Sequence, residues 1–405
     1  MTSEFVTLLR IITAAGAGES FPALPETLDW VLAEKLAREQ SVPGIWGRAL
    51  YHATVPIPES ARTRAKQQYF FLAAREAHRR TGILRLLAEL ESEGVRGAVL
   101  KGFAVGACYA APECRVSGDV DFLIDPKDED KVCSFLSARG FSVQRRGPLS
   151  HHDIAVHPIL GMVEVHVQLY DEVRNTHWFE GVLRVPQRPF VREKIAEGTF
   201  WTLDPQDHML FLLLHLAKHF VGGGVTLRML VDCGLFYRVH ADQLALAPLR
   251  ETLSGLRLER FVSTCFYALT HIAGLDIPNP LFPETADSLL AAEMLLTDFE
   301  ESVFVREDLA FSQIKTADAF TRRRIGKEEA SKRRKSRRRI LPRRLFPTKA
   351  QLCLEYPLLA RRPLLLPAIW FVRSVKKTFA NDTAPPKHVT ANEKRLALFE
   401  DLDLF

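Results

Sequence analysis

Two aspartates separated by one residue interrupt an apolar run, and this run constrains the fold more than any other feature. Asp119 and Asp121 lie at the start of residues 119–124, whose other members are apolar. Side chains alternate between the faces of a β-strand, so both carboxylates share one face while the apolar residues anchor the other. Two like charges on a buried strand repel each other and are costly to desolvate. A divalent cation resolves that cost. We therefore predict that Asp119 and Asp121 bind Mg²⁺, with Mn²⁺ as the alternative ion.

A third acidic residue is expected on a neighbouring strand. Glu164 lies between Val163 and Val165 in an alternating run, which places its carboxylate opposite an apolar face. It is predicted to complete the metal site or to take a proton from an attacking hydroxyl. His166 shares the face of Glu164 and is either a partner of the site or a hydrogen-bonded core histidine.

The order of apolar patterns predicts an α+β fold, with a mixed sheet and helices flanked by N-terminal and C-terminal helical regions. Short strand-like runs lie in the middle of the chain, and spacings of three and four residues dominate on both sides. The expected divisions are an N-terminal helical region at 1–92, an α+β core at 93–195, a helical domain at 196–312, a basic segment at 313–347, and a C-terminal helical region and tail at 348–405.

Two cationic residues lie near the predicted metal strand. Lys101 and Gly102 stand where a strand passes into a helix, and backbone amides at such a position attract anions. Lys101 is either a phosphate ligand or a solvated strand-end residue. Arg115 is expected to order the loop before the metal strand, to contact phosphate, or to form a structural salt bridge.

A polar stripe crosses an otherwise apolar helix further along the chain. His215, Lys218 and His219 fall at positions i, i+3 and i+4, so they share one face. Polar groups in such surroundings need partners, which a triphosphate or a structural contact with Asp232 would supply. Another polar group, at residues 151–153, has no supporting partner spacing and is expected at the surface.

These residues together resemble the polymerase-β-like nucleotidyltransferase superfamily, and within it a bacterial family of uncharacterised nucleotidyltransferases. The resemblance covers about residues 60–375, and it is carried by the motifs Lys101-Gly102, Arg115-x-x-Gly118-Asp119-x-Asp121, Glu164-x-His166, His215-x-x-Lys218-His219, Leu227-Arg228 and Asp232. It implies transfer of a nucleoside monophosphate from a nucleoside triphosphate, with Mg²⁺ and release of pyrophosphate. The residues that would then contact the nucleotide are Lys101, Gly102, Arg115, Gly118, His166, His215, Lys218 and His219.

The sequence departs from the superfamily pattern after Gly102. Phe103 stands where the superfamily usually has serine or glycine, and the interval from Gly102 to Asp119 is longer than usual. The hydroxyl that would contact a phosphate is therefore missing. Triphosphate binding is expected to depend on the Gly102 backbone and on nearby cations.

The acceptor is not determined by these motifs. A small metabolite or natural product is the favoured acceptor. One alternative is a toxin-like enzyme that acts on tRNA or protein, and another is a catalytically silent nucleotide-binding protein. Residues 322–344 contain thirteen Lys or Arg against two Glu, which indicates a solvated segment or a contact with RNA or an anionic membrane surface.

The remaining sequence features predict a soluble, cytoplasmic protein. The N-terminus has Glu4 where a signal peptide has positive charge, and no apolar run reaches the length of a membrane span. Six scattered cysteines form neither a CxxC pair nor a zinc-site spacing, as is typical of reduced, buried thiols.

Overall fold

The computed structural model describes residues 1–25, 27–146, 151–170, 185–222, 224–278, 280–303 and 395–404. The basic cluster at 322–344 and most of the expected C-terminal region at 348–405 therefore lie outside the described residues. Within the described stretches, none of the helices combines the length and apolar composition that crossing a bilayer requires.

Four helices precede the sheet and pack against one another. The first begins where the Thr2 hydroxyl accepts a hydrogen bond from the backbone N–H of Phe5, and the third begins with Pro43, whose fixed φ suits a first helical turn. Phe5 and Trp46 are buried in the core that these helices share. The helices are α1 (Ser3–Ala17), α2 (Trp30–Glu39), α3 (Pro43–His52) and α4 (Glu59–Ser92).

Seven strands of the described chain form one mixed sheet in the order β3-β4-β5-β2-β1-β7-β6. The pairs β2–β5 and β1–β7 are parallel, and the other pairs are antiparallel. The strands are β1 (Ala98–Leu100), β2 (Asp119–Leu123), β3 (Ser142–Gln144), β4 (His152–His157), β5 (Gly161–His166), β6 (Val191–Ile195) and β7 (Gly198–Thr202), with α5 (Lys101–Val105) and α6 (Glu129–Ala138) between them in the sequence. The predicted α+β class is confirmed.

The sheet extends beyond residue 195, where the sequence places the end of the core. Strand β7 pairs with β1 through Thr202 and Val99, and the Thr202 hydroxyl donates a hydrogen bond to the Val99 carbonyl at 2.7 Å. Strand β7 also pairs with β6. The strands therefore continue to Thr202, and the helical part of the chain begins only at Pro205.

The sheet separates two buried layers. On one face, Val120 and Phe122 of β2 and Val163 and Val165 of β5 pack in a core with residues of α4 and α6. Because strand side chains alternate, Asp119 and Asp121 point to the other face. On that side, residues of β1 join the large core that contains the N-terminal and C-terminal helices.

A second group of helices follows the sheet. The first begins after Asp204, whose Oδ1 accepts the backbone N–H of Gln206 at 3.0 Å, and Pro205 occupies its first position. Phe399, in the last described stretch, is fully buried with its ring 5.2 Å from that of Phe220. The helices are α7 (Pro205–Gly222), α8 (Leu227–His240), α9 (Leu246–Gly255), α10 (Glu259–Tyr267) and α11 (Ser288–Val303).

A buried histidine on α7 predicts a specific sensitivity to acid. His208 is 1% exposed, and burial, aided by the charge of His240, lowers its pKa to about 3. The ordinary pKa in the unfolded chain is about 6.5, so the unfolded chain takes up the proton first. Stability is therefore unaffected above about pH 6.5 and falls as the pH drops towards about 3.

Replacing this histidine tests that linkage. His208→Gln is expected to reduce the loss of unfolding free energy between about pH 7 and pH 4 by on the order of 3 kcal/mol. Urea denaturation at both pH values measures this difference. His78→Gln, at an exposed position of α4, is the control. Equal pH dependence in wild type and His208→Gln would contradict the prediction.

Candidate active site

Three carboxylates come together where β2 and β5 run side by side. Asp119 and Asp121 share one face of β2, and the parallel register places Glu164 of β5 directly beside Asp121. Asp121 is 2% exposed, whereas Asp119 and Glu164 are partly exposed. The period-two pattern of the sequence thus produces an acidic cluster on one side of the sheet.

A lysine contacts the buried member of this cluster. The Lys101 ammonium lies 2.6 Å from Asp121 Oδ1. Lys101 follows β1 with a φ of 44°, a left-handed conformation that is uncommon for a residue with a side chain. Since β1 pairs with β2, this turn lies next to the Asp121 carboxylate. The sequence allows Lys101 to be a phosphate ligand or a solvated strand-end residue. In the structure its ammonium contacts the Asp121 carboxylate.

His166 connects the two strands of the cluster. Its Nε2 lies 3.0 Å from Asp121 Oδ1 and 3.2 Å from Glu164 Oε2, and the residue is 2% exposed. An oxygen of Asp121, an oxygen of Glu164 and a ring nitrogen of His166 lie within 4.8 Å of one another, close enough to share an ion. His166 is therefore buried and hydrogen-bonded, and it also contacts two carboxylates of the cluster. Both alternatives drawn from the sequence, a partner of the site and a hydrogen-bonded core histidine, describe it.

The partners of the carboxyls set their pKa values. Burial alone would raise the pKa of Asp121, but the Lys101 ammonium and His166 outweigh burial and hold it well below its usual range. For Glu164, burial is offset mainly by the hydrogen bond from His166, and the pKa is lowered. For Asp119, burial and the charge of Asp121 raise the pKa. The cluster therefore holds more negative charge than its cations balance, and Asp119 carries the excess.

The two cationic partners show the reciprocal effect. Burial by itself would lower the pKa of Lys101 and of His166. The carboxylates outweigh burial in both cases and raise the pKa of each group above its ordinary value. The acidic cluster thus favours the charged form of both side chains.

The donor set fits a hard divalent cation. Asp119, Asp121 and Glu164 offer carboxylate oxygens from adjacent strands, which are the ligands Mg²⁺ prefers. The uncompensated charge at Asp119 is what a cation would neutralise. The residues present are therefore suited to hold Mg²⁺, as the sequence predicts.

The carboxylates line a cavity of about 550 Å³ that is also bordered by α7 and α8. His215, Lys218 and His219 of α7 line it together, so the predicted polar stripe faces the cavity. Arg228 near the start of α8 lines it as well, and its Nη1 donates to the Val116 carbonyl at 3.1 Å. Acidic residues from the sheet and cationic residues from two helices thus surround one space.

The histidines of α7 are neutral components of this wall. Burial lowers the pKa of His219 to about 4, and the Lys218 charge acts in the same direction. Burial also holds the pKa of His215 well below its ordinary value, assisted by the Lys101 charge. At pH 7 both imidazoles are uncharged, so Lys218 and Arg228 supply the positive charge of the wall.

Arg115 forms a buried ion pair that organises the loop before β2. Its Nη2 and Nε donate to the two oxygens of Asp232 at 2.5 and 3.1 Å, and Nη1 donates to Ser117 Oγ at 2.6 Å. The Tyr109 hydroxyl donates to Asp232 at 2.7 Å. Asp232, named from the sequence as a candidate partner of the α7 stripe, is instead engaged by Arg115 and Tyr109.

Gly102 is required by this close packing. A Cβ at that position would lie 2.6 Å from Arg115 Nη1 and 2.8 Å from Ser117 Oγ. Gly118, which precedes β2, is exposed and a Cβ there would meet nothing within 4 Å. The structure thus gives Gly102 a packing role, and it places Gly118 beside the cluster at the surface.

The two glycines make a matched pair for substitution. Gly102→Ala is expected to displace the Arg115 side chain and cost about 1–3 kcal/mol of unfolding free energy, the usual cost of overpacking. Gly118→Ala is expected to change it by less than about 0.5 kcal/mol. Chemical denaturation of both variants measures the difference, and equal stability of the two would contradict this account of Gly102.

The expectation that residues 151–153 lie at the surface is wrong. His151 is 6% exposed and Asp153 is fully buried, and both His151 and His152 line the cavity. Asp153 Oδ1 accepts the backbone N–H of Arg146 at 2.5 Å. The antiparallel pairing of β4 with β5 draws these residues inward, because it sets His152 directly opposite His166. Counting outward from the short turn at 158–160 would have predicted that pairing.

An Asp-x-Asp strand in a mixed sheet, a parallel acidic neighbour and a cation-lined cavity agree with the resemblance to nucleotidyltransferases. The chain belongs to the family described as "Uncharacterised nucleotidyltransferase", whose model matches residues 26–274. That range runs from just before α2 to beyond α10 and includes every residue of the acidic cluster. Comparisons with curated proteins and with solved structures found no match.

Proposed function

We propose that the protein transfers a nucleoside monophosphate from a nucleoside triphosphate to a hydroxyl group of a small acceptor. The observation that carries this proposal is the register of β2 with β5, which sets Asp121 beside Glu164 in a cavity that Lys218 and Arg228 also line. Negative charge on one part of the lining suits a metal ion, and positive charge on another suits phosphates.

Asp119, Asp121 and Glu164 would hold Mg²⁺, with Mn²⁺ as the alternative. When bound, the ion supplies positive charge that polarises the phosphate oxygens and stabilises charge in the transition state. Lys101 would serve as the ammonium nearest this centre, since its nitrogen already contacts Asp121. The contribution of the protein is mainly positioning and electrostatics, as is general for phosphoryl transfer.

Lys218 and Arg228 are assigned to the triphosphate. Arg228 Nε is buried and has no hydrogen-bond partner among the described residues, so a phosphate oxygen would satisfy it. Gly102 lines the same cavity, whereas Phe103 is 1% exposed and packs in the core below the sheet. The missing hydroxyl after Gly102 is thus compensated by cations from α7 and α8.

Glu164 is assigned the role of accepting the proton from the acceptor hydroxyl. Its Oε2 is bonded to His166, and Oε1 is the oxygen that would accept the proton. The acceptor oxygen attacks the α-phosphorus, the bond from that phosphorus to the β-phosphate bridging oxygen breaks, and pyrophosphate leaves. The lowered pKa of Glu164 keeps this carboxylate ionised at neutral pH.

The size of the cavity supports a small acceptor. A volume of about 550 Å³ falls within the range of roughly 300–1,000 Å³ that is usual for small-molecule sites. Of the alternatives drawn from the sequence, an RNA acceptor would be contacted through residues 322–344, which lie outside the described residues. We therefore favour a metabolite or natural product.

Transfer of label tests this proposal. The purified full-length protein is incubated with each α-labelled nucleoside triphosphate, Mg²⁺ and a cell extract that is fractionated into metabolites, RNA and protein. We expect label in the metabolite fraction with wild type and none with Asp121→Asn. Label in RNA or protein would replace the small acceptor by a macromolecule. Nucleotide binding without transfer from any nucleotide would favour a silent binding protein.

A further inference from the structure

Three histidines meet at one edge of the acidic cluster. His151 immediately precedes β4 and His152 begins it, and His166 ends β5, where the register sets it opposite His152. Their ring centroids are 4.6, 4.9 and 5.0 Å apart. One ring nitrogen from each lies within 4.8 Å of the others. The hairpin therefore presents three imidazoles to a common point.

The hydrogen bonds of His166 leave one of its nitrogens directed away from the carboxylates. Asp121 and Glu164 accept only, so Nε2 carries the hydrogen that is donated to them. Nδ1 is then the nitrogen left for a metal ion, which on binding would displace the proton that the acidic cluster favours there. This Nδ1 is buried and has no hydrogen-bond partner among the described residues, and the residue is 2% exposed. A buried polar nitrogen without a partner is costly, and a bound metal ion would satisfy it.

A histidine that donates one N–H to a carboxylate and offers its other nitrogen to an ion has the arrangement usual for a metal ligand. The carboxylate fixes the tautomer and the ring orientation. In this chain the carboxylates that do so are Asp121 and Glu164, which belong to the magnesium cluster. His166 thus belongs to two groups of candidate ligands, the three histidines and the cluster with Asp121 and Glu164.

We propose that His151, His152 and His166 form a second metal site, which takes a borderline divalent transition-metal ion such as Zn²⁺ or Co²⁺. Imidazole nitrogen suits these ions, whereas Mg²⁺ prefers the neighbouring oxygens. A tetrahedral ion with metal–nitrogen bonds of about 2.0–2.1 Å needs nitrogens about 3.3–3.4 Å apart, so the proposal requires the rings to close in from their present separations of up to 4.8 Å. Three protein ligands leave a fourth position open to water or substrate.

Binding of Co²⁺ tests this site, because a four-coordinate cobalt ion absorbs visible light. The full-length protein is freed of metal with a chelator, the chelator is removed, and CoCl₂ is added in a large excess of Mg²⁺ without nucleotide. We expect saturation at one cobalt per chain and loss of the absorbance when Zn²⁺ is added. Absence of saturable absorbance would overturn the proposal, as would a near-ultraviolet thiolate band, which would locate the ion at cysteines.

Variants locate the ion within the structure. His151→Ala and His152→Gln are each expected to weaken cobalt binding by more than about 100-fold, since loss of a ligand exceeds the effect of losing an outer partner. His152 is partly exposed, so its variant keeps the test decisive if His151→Ala does not fold. His78→Gln should bind as wild type does. Asp119→Asn should also bind cobalt, and cobalt lost in Asp119→Asn but kept in the histidine variants would assign the ion to the carboxylates.

The test of the three-histidine site does not depend on the transfer reaction. The cobalt measurement contains no nucleotide and no acceptor, so it can succeed where transfer fails and fail where transfer succeeds. If the site exists, its ion fixes the orientation of His166, and through the His166 hydrogen bonds it acts on Asp121 and Glu164.

Discussion

Asp121→Asn is expected to reduce nucleotidyl transfer by at least about a thousandfold, equivalent to about 4 kcal/mol in transition-state free energy. The reason is that Asp121 is the buried centre of the cluster and contacts both Lys101 and His166. Asparagine keeps the shape but removes the charge that would hold Mg²⁺. Steady-state transfer from the labelled nucleotide identified for wild type measures the effect.

The control for this substitution is Asp125→Asn, just beyond the end of β2. Asp125 is largely exposed and pairs with Lys127 at the surface, 2.9 Å away. The Asp125→Asn protein should transfer label at the wild-type rate. Circular dichroism of both variants shows whether the fold is kept. An Asp121→Asn protein that is folded and retains more than a tenth of wild-type activity would contradict the assignment of Asp121.

The second large effect concerns stability. Arg115→Ala is expected to lower the free energy of unfolding by about 3–5 kcal/mol, because it leaves the buried carboxylate of Asp232 without its cation. The loop before β2 would also lose the hydrogen bond from Arg115 to Ser117. Urea denaturation of the variant and the wild type measures the change.

Two comparisons make this prediction specific. The double variant Arg115→Met/Asp232→Leu removes both charges and should recover at least half of the lost stability, since neither buried charge is then unpaired. Arg139→Ala breaks a surface pair with Glu89 and should cost less than about 1 kcal/mol. A loss in Arg115→Ala no larger than that in Arg139→Ala would contradict the structural role of the buried pair.

The sequence predicts the acidic cluster because its geometry is local. Period-two alternation places Asp119 and Asp121 on one face, and the same rule places Glu164 opposite Val163 and Val165. The helical stripe of His215, Lys218 and His219 follows equally from a local spacing. Alternation does not predict that β2 and β5 are neighbours or that Asp121 lies beside Glu164, because both depend on the pairing of the whole sheet.

The remaining site features arise from contacts between distant parts of the chain. Arg115 and Asp232 are 117 residues apart, and no pattern in either segment indicates their pairing. The left-handed backbone at Lys101 is equally invisible in a residue type that seldom adopts it. Polarity alone predicts His151 at the surface, whereas the register of the hairpin buries it.

The carboxylates are expected to recruit a nucleoside triphosphate through a divalent metal ion. Isothermal titration of nucleoside triphosphate into the full-length protein, in Mg²⁺ and in EDTA, tests it most directly, with Asp121→Asn measured alongside. We predict binding by wild type in Mg²⁺, at least about tenfold weaker binding in EDTA, and no Mg²⁺ dependence in Asp121→Asn. Equal affinity of the wild type in Mg²⁺ and in EDTA would contradict the claim.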